Sequence, residues 1–416
     1  MKTVSLIYTY GLKNSGDMAI NLGAFDLLLD LGVRIKAFSK SDETDIEYQK
    51  SKHYINEYYP TVQLFGGPFK YNRDEGKLKS ISNHFNGYIK TVGLNEDQKF
   101  IQLLTSSDFI IFNGGNLLRS ESLIDYARLR ALMYPLKKAY EKKVPYIMLP
   151  HSASVINKRG KKLLSSNLNE AKQIFTREDK SYQYLSEMFP ESKIEESIDL
   201  AFFIKDNDKA KQEFQKKYND TFNKTSSKIA FTLRTQVVGD LGELSTSKKN
   251  EILDVIRKTL EHYISKSNYE VILIVQTRKD INVTQQIYNE YKSTGRITFI
   301  EEYDTLVLRE IYRNCNLLIG MRLHSIILAL STNTPSIGYF EKQWGFKNPG
   351  LMEKFELPYK LVEDKATDLI EESSEVLDNI STHKIKIMDT IEKEEVKIKT
   401  RLKSLFIEKS EIMKNY

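Results

Sequence analysis

Apolar positions along the chain follow two rhythms, short continuous runs and longer stretches at helical spacing. Val4–Tyr8 is a β-branched and aromatic run ending at Gly11, which predicts a first strand. Ala19–Leu31 carries apolar residues at helical spacing, and Gly32 follows as a stop signal. Val33–Phe38 predicts a second strand. Phe109–Phe112 reads as a short buried strand before a Gly114-Gly115 turn, and Leu123–Tyr140 as a helix. Tyr146–Leu149 is then a strand, Leu163–Ala171 a helix and Gln173–Thr176 a strand. Repeated strand–helix units imply a mainly parallel sheet covered on both faces.

Lys205–Ser227 interrupts this pattern. It is dense in Lys, Asp, Asn and Gln, and it reads as a helix and linker. The alternation then restarts with strands at Ile229–Leu233, Val271–Val275, Ile297–Ile300, Leu317–Ile319 and Ser336–Tyr339. Helices are expected at Lys249–Ser265, Val283–Lys292, Thr305–Arg313 and from His324. The pattern predicts a two-domain α/β protein with a cleft between the domains. The expected boundaries are 1–204 for an N-terminal α/β domain, 205–227 for the linker and 228–365 for a C-terminal α/β domain. Residues 366–416 are expected to form a C-terminal helix or helices. There, Ile387, Ile391, Ile398, Leu402 and Leu405 share one helical stripe, among Lys384, Lys386, Lys393, Lys397, Lys399, Arg401 and Lys403. Such a helix packs on the protein body, or lies on anionic lipid or in a coiled coil.

Composition narrows the function classes. A chain of 416 residues has room for about two or three domains. The single cysteine, Cys315, excludes an intramolecular disulfide and any multi-cysteine metal site, so a reducing compartment is the default. The net charge of +6 is too small to argue for nucleic acid. It leaves room for a modest attraction to anionic substrates or membrane surfaces. No run reaches the roughly 18 apolar residues of a membrane span, and the N-terminus reads as a strand rather than a signal peptide. A cytoplasmic protein is expected, with peripheral contact at the inner membrane face through the basic C-terminal helix left open.

The most informative segment is LLIGMRLHS, Leu317–Ser325. A buried strand ends at Gly320-Met321, and Arg322 and His324 follow where a helix begins. Strand ends of this kind face the ligand crevice, and a helix N-terminus favours an anion. Arg322 can grip a carboxylate or phosphate at two points, and His324 can move a proton near neutral pH. The bland alternative is a capping histidine and a surface arginine. Arg234 ends the strand Ile229–Leu233 on the same side, before a loop with Gly239 and Gly242 that can approach a ligand closely. Asn14-Ser15-Gly16-Asp17 forms a strand-to-helix turn without the dinucleotide or P-loop pattern, and Asp17 can cap the helix after it. Pro150-His151-Ser152 and Arg177-Glu178 follow strand ends, and Asp199 precedes Leu200-Ala201-Phe202. Six scattered histidines give no metal motif, so no metal is expected. A serine hydrolase reading fails for want of a G-x-S-x-G elbow.

Over roughly residues 1–360 these segments together resemble the polysaccharide pyruvyltransferase family. The resemblance rests on N-x-G-D at Asn14–Asp17, Gly114-Gly115, LPHS at Leu149–Ser152, T-R-E-x-x-S at Thr176–Ser181 and DLAFF at Asp199–Phe203. It continues with Arg234, GMRLHS at Gly320–Ser325 and Y-x-x-K at Tyr339–Lys342. It implies two Rossmann-like α/β domains facing a cleft, GT-B-like, with the helical tail outside the family pattern. It also implies transfer of pyruvate from phosphoenolpyruvate onto two hydroxyls of one sugar in a cell-surface polysaccharide precursor, giving a cyclic ketal and phosphate. By resemblance, Arg234, Arg322, Leu323 and His324 bind phosphoenolpyruvate, with His324, Arg322 and Arg234 catalytic. Asn14, Gly16, Asp17, Gly114, Gly115, Ser152, Arg177 and Lys342 are further cleft candidates. Phosphoenolpyruvate serves as co-substrate and no cofactor is expected. The partner is a glycan acceptor, whose lipid linkage stays open. Asn116 and Asn316 depart from the family, which there often carries a glycine and an acidic residue. The competing readings are a nucleotide-sugar glycosyltransferase of GT-B type and a membrane-recruited assembly factor.

Overall fold

The computed structural model describes residues 1–69, 89–93, 96–237, 242–266, 268–345 and 347–412, with backbone alone for 408–412. Gly239 lies outside the described residues. The chain divides into two units. One comprises Met1–Lys13, Asp17–Lys205 and the chain from Glu394 onwards. The other comprises Asn14–Gly16 and Asp206–Lys393.

The first unit is built on a parallel sheet. Its strands are β1 (Thr3–Thr9), β2 (Arg34–Ser39), β3 (Gln63–Phe65), β4 (Phe109–Phe112), β5 (Gly115–Ser120), β6 (Tyr146–Ile156), β7 (Gln173–Thr176) and β8 (Ile194–Glu196). Their order is β3-β2-β1-β4-β6-β7-β8, with β5 paired to β6. Central strands such as β4, FIIF, are buried throughout, which is why they read as continuous apolar runs rather than alternating ones. A core of Tyr8, Phe38, Phe112, Leu129, Met148, Leu164 and Ile174 with their neighbours fills the space between sheet and helices.

The second unit repeats the plan. Its strands are β9 (Ser227–Thr232), β10 (Tyr269–Val275), β11 (Ile297–Glu301), β12 (Leu317–Gly320), β13 (Ser336–Phe340) and β14 (Tyr359–Leu361). Their order is β11-β10-β9-β12-β13-β14, all parallel. In both sheets the strand order reverses beside the first strand, between β1 and β4 and between β9 and β12. Ligands of open parallel sheets bind outside the strand ends at such switch points.

Three local expectations are corrected. Of the Gly114-Gly115 turn, Gly115 is the start of a strand, because β5 pairs beside β6, with Gly115 opposite His151 and Ser120 opposite Ile156. β6 does not end at Leu149 but runs on through Pro150 and His151 to Ile156. Asp17 does not cap its helix, which begins at Ser15 and holds Asp17 in the first turn. Lys205–Ser227 contains the helix Asp208–Phe222.

Of the tail helix Ile380–Ile412, residues to Lys393 belong to the second unit and those from Glu394 to the first. Its stripe is buried at Ile387, Ile398, Leu402 and Leu405, with Phe406 added. Phe406 packs against Phe109, with ring centroids 4.9 Å apart. Lys399 pairs with Asp30 at 2.6 Å, and Arg401 reaches Gln173 at 2.8 Å and Glu195 at 3.4 Å. The helix is thus packed on the protein body.

Candidate active site

In the second unit the crevice end of the sheet gathers residues from four strand ends. β9 leads into Arg234, Thr235 and Gln236, and β10 into Gln276 and the short turn Arg278–Asp280. β12 leads into Arg322, and β13 into the turn that carries Trp344. Arg322 stands at the N-cap of the helix Leu323–Leu330, with extended backbone. Its guanidinium is buried, 8% exposed, and forks onto Asp280, with Nε to Oδ2 at 2.9 Å and Nη2 to Oδ1 at 2.6 Å. The Gln236 amide oxygen accepts from the same Nη2. Asp280 both orients the guanidinium and cancels much of its charge.

Arg234 lies over Trp344, its guanidinium carbon 4.5 Å from the ring centroid, and donates to the Val237 carbonyl at 3.0 Å. Trp344 is fixed in turn by its indole N–H, 2.9 Å from the Gln236 carbonyl. Gln236 therefore links the two arginines, accepting from Arg322 through its side chain and holding the Arg234 stacking partner through its backbone. Beneath them, the Thr232 and Ser325 hydroxyls meet at 2.8 Å, and Ser325 donates to the Arg322 carbonyl at 2.6 Å. These bonds tie the end of β9 to the first turn of the helix that carries His324.

His324 is half-buried and faces the turn Asn14–Gly16, which belongs to this unit. A side chain at Gly16 would place Cβ 2.3 Å from the His324 Nδ1, so only glycine fits. The turn is held by Asn14, whose side chain accepts from the Gly16 N–H at 3.0 Å. Ser15 adds a bond to the Gln276 carbonyl at 3.3 Å, and its own carbonyl accepts from Thr305 at 2.9 Å.

The first unit has its own polar centre at its switch point. Arg177 donates to Ser152 at 2.5 Å and to Asp199 at 2.6 Å, with Glu178 3.4 Å away. Tyr10 donates to the Gly114 carbonyl at 2.7 Å, and its ring occupies the space a Cβ on Gly115 would need, 2.1 Å from the Tyr10 hydroxyl. Gly115 has a φ of +136°, which a larger residue adopts only under strain. His151 is fully buried and stacked on Phe112, with centroids 5.0 Å apart. Burial, together with the nearby Arg177 charge, pushes its pKa down to about 3, against the opposing bond to the Leu149 carbonyl.

The structure thus brings Arg234, Arg322, Leu323, His324, Asn14 and Gly16 together in one unit. It groups Gly114, Gly115, Ser152 and Arg177 in the other, where burial raises the Tyr10 pKa and the nearby Asp17 carboxylate raises it further. Lys342 joins neither cluster; its amino group is exposed, 3.9 Å from Glu363. Sequence reading passed over Asp280, Gln236 and Trp344. The signal available was position alone, since each follows a strand end on the crevice side. Among the described residues no group of three His, Cys, Asp or Glu side chains could hold a metal ion. No helix among them is long and apolar enough to cross a membrane.

The family described as Polysaccharide pyruvyl transferase matches residues 14–339. No curated protein matches the chain. Among solved structures, the chain resembles UDP-GlcNAc 2-epimerase from Neisseria meningitidis bound to UDP-GlcNAc. There the TM-score is 0.59 at 12% identity, covering 93% of this chain and 94% of that one. It also resembles Anabaena HepE in complex with UDP and glucose, at TM-score 0.54 and 12% identity, covering 98% and 100%. A Glycyrrhiza uralensis UGT complexed with glycyrrhetinic acid 3-O-monoglucuronide gives TM-score 0.59 at 10% identity, covering 100% and 99%. At these identities the likeness shows the fold, two parallel-sheet α/β domains of GT-B type.

Proposed function

The chain belongs to the polysaccharide pyruvyl transferase family, and from that premise we propose that phosphoenolpyruvate is its donor and a glycan diol its acceptor. The product is a cyclic pyruvate ketal on one sugar of a polysaccharide precursor, with phosphate released. The observation that carries this reading is the Arg322–Asp280 fork at the β12 end, with His324 two residues on and Arg234 across the switch point. Arg234, an Arg322 oriented by Asp280 and a helix N-terminus together suit a small ligand that bears a carboxylate and a phosphate.

In this mechanism His324 gives a proton to the methylene carbon of the donor. Carbon-2 takes on oxocarbenium character, and one sugar hydroxyl attacks it. The carbon–oxygen bond to phosphate then breaks while Arg234 and Arg322 hold the carboxylate and phosphate. A second hydroxyl of the same sugar closes the ketal. One hydroxyl proton replaces the proton spent on the methyl group, and the other leaves with phosphate.

Incubation with phosphoenolpyruvate and candidate glycosides tests the reading. Phosphate release with a mass gain of one pyruvyl ketal is expected. The likeness to UDP-bound structures favours a second reading, a nucleotide-sugar glycosyltransferase. A thermal-shift panel separates the two, because a bound donor raises the melting temperature by mass action. A rise with UDP-sugars and none with phosphoenolpyruvate would replace the first reading by the second.

A further inference from the structure

Two helices of the first unit start at one corner of its surface. Leu123–Glu141 follows β5 and is capped by Ser122. Lys158–Leu168 follows β6 and is capped by Asn157. The two starts are stitched together. The Asn157 N–H donates to the Ser120 hydroxyl at 3.2 Å and carbonyl at 3.3 Å, and the Asn157 side chain reaches the Glu121 carbonyl at 3.4 Å. A side chain on Gly160 would fall 1.8 Å from the Ser120 hydroxyl, so the second helix lies directly against the end of β5.

Around this stitched backbone the fold leaves several side chains largely outside its core. Leu123 and Ile124 open the first helix 69% and 63% exposed, and Val155 beside them on β6 is 58% exposed. The second helix opens with Lys158 and Arg159, and Lys162 follows one turn on, all exposed. No acidic residue occupies its first turn. Cations at a helix N-terminus oppose the helix dipole, and exposed aliphatic side chains gain nothing from burial. None of the three cations has an ion-pair partner among the described residues. Residues that break local rules without stabilising anything mark a surface kept for a partner.

We propose that this corner, and not the tail helix, docks the protein on an anionic lipid surface. Leu123, Ile124 and Val155 enter the interface while Lys158, Arg159 and Lys162 meet the headgroups. The pairing of exposed aliphatics with unpaired cations is what an anionic bilayer surface recognises. The tail helix is differently placed: its stripe of Ile387, Ile398, Leu402 and Leu405 is buried, Lys399 and Arg401 are engaged by Asp30 and Glu195, and its exposed Ile385, Met388, Val396 and Ile407 are spread along the helix rather than gathered at one corner. This inference is independent of the pyruvyl-transfer reading.

Flotation of the full chain with vesicles tests it. One set contains equal phosphatidylglycerol and phosphatidylcholine, the other phosphatidylcholine alone. Wild type is expected to float with the anionic set only, less so as salt is raised. The Leu123→Ser/Ile124→Ser variant should lose about tenfold or more in partitioning, since burial of one aliphatic side chain is worth that much. The Lys158→Glu/Lys162→Glu variant should lose binding, and Lys384→Glu/Lys393→Glu in the tail should keep it. All these positions are exposed, so unchanged melting temperatures are expected. Failure of wild type to float, full binding by the corner variants, or loss confined to the tail variant would each overturn the proposal. So would a corner variant that alters only self-association in light scattering.

Discussion

At the scale of single residues, the centre of the second unit is an arginine whose charge is already matched. Asp280 takes the two-point grip that sequence reading reserved for a substrate carboxylate. Losing one partner of a buried ion pair leaves an uncompensated charge. Asp280→Ala is therefore expected to cost about 3–5 kcal/mol, read as a lower urea midpoint for the second unit. Arg322→Lys keeps the charge but loses the fork onto Asp280 that orients it, so calorimetry should show weaker phosphoenolpyruvate binding. His324→Ala should leave donor binding largely intact and lower turnover by about 10²–10⁴-fold, the range of one general acid. Wild-type turnover in that variant would remove His324 from the mechanism. Arg322 and His324 were legible because a strand end and a helix start flank them within nine residues of sequence, Leu317–Ser325. Asp280 was not, because its partner is 42 positions away in the chain. Trp344 is farther still from Gln236, at 108 positions.

At the scale of elements, periodicity located the central strands and most helices. Its errors share one cause. Proline and paired glycines are local stop signals, so the sequence pattern ends β6 at Pro150 and makes the start of β5 a turn. Here neighbouring strands override them: β5 lies along the outer part of β6, and Tyr10 fills the space that Gly115 leaves open. The tail shows the opposite case, a stripe whose spacing was clear but whose partner was not. Leu402 is wholly buried. Leu402→Ala should destabilise by about 2–5 kcal/mol, the usual cost of such a cavity, seen in the thermal transition of the first unit. An unchanged transition would mean that the helix is not docked there in solution.

At the scale of the whole molecule, acid sensitivity is expected from His151. Its folded pKa of about 3 lies below the ordinary value near 6.5, so the unfolded chain binds the extra proton first. Its stabilising effect is complete above about pH 6.5 and fades as pH falls toward 3. At pH 5 the loss amounts to about 2 kcal/mol. Urea titrations at pH 7 and pH 5 should show it, and His151→Phe should flatten the difference. Two α/β units, their near-continuous apolar strands and the R-L-H strand end were all determined by sequence, because each depends on neighbours within a few residues. Only the tertiary structure decided that the Asn14–Gly16 turn packs against His324, that Asp280 holds Arg322, and that the tail lies on the body. Those are contacts between distant segments, and close packing selects them only once both sheets have formed.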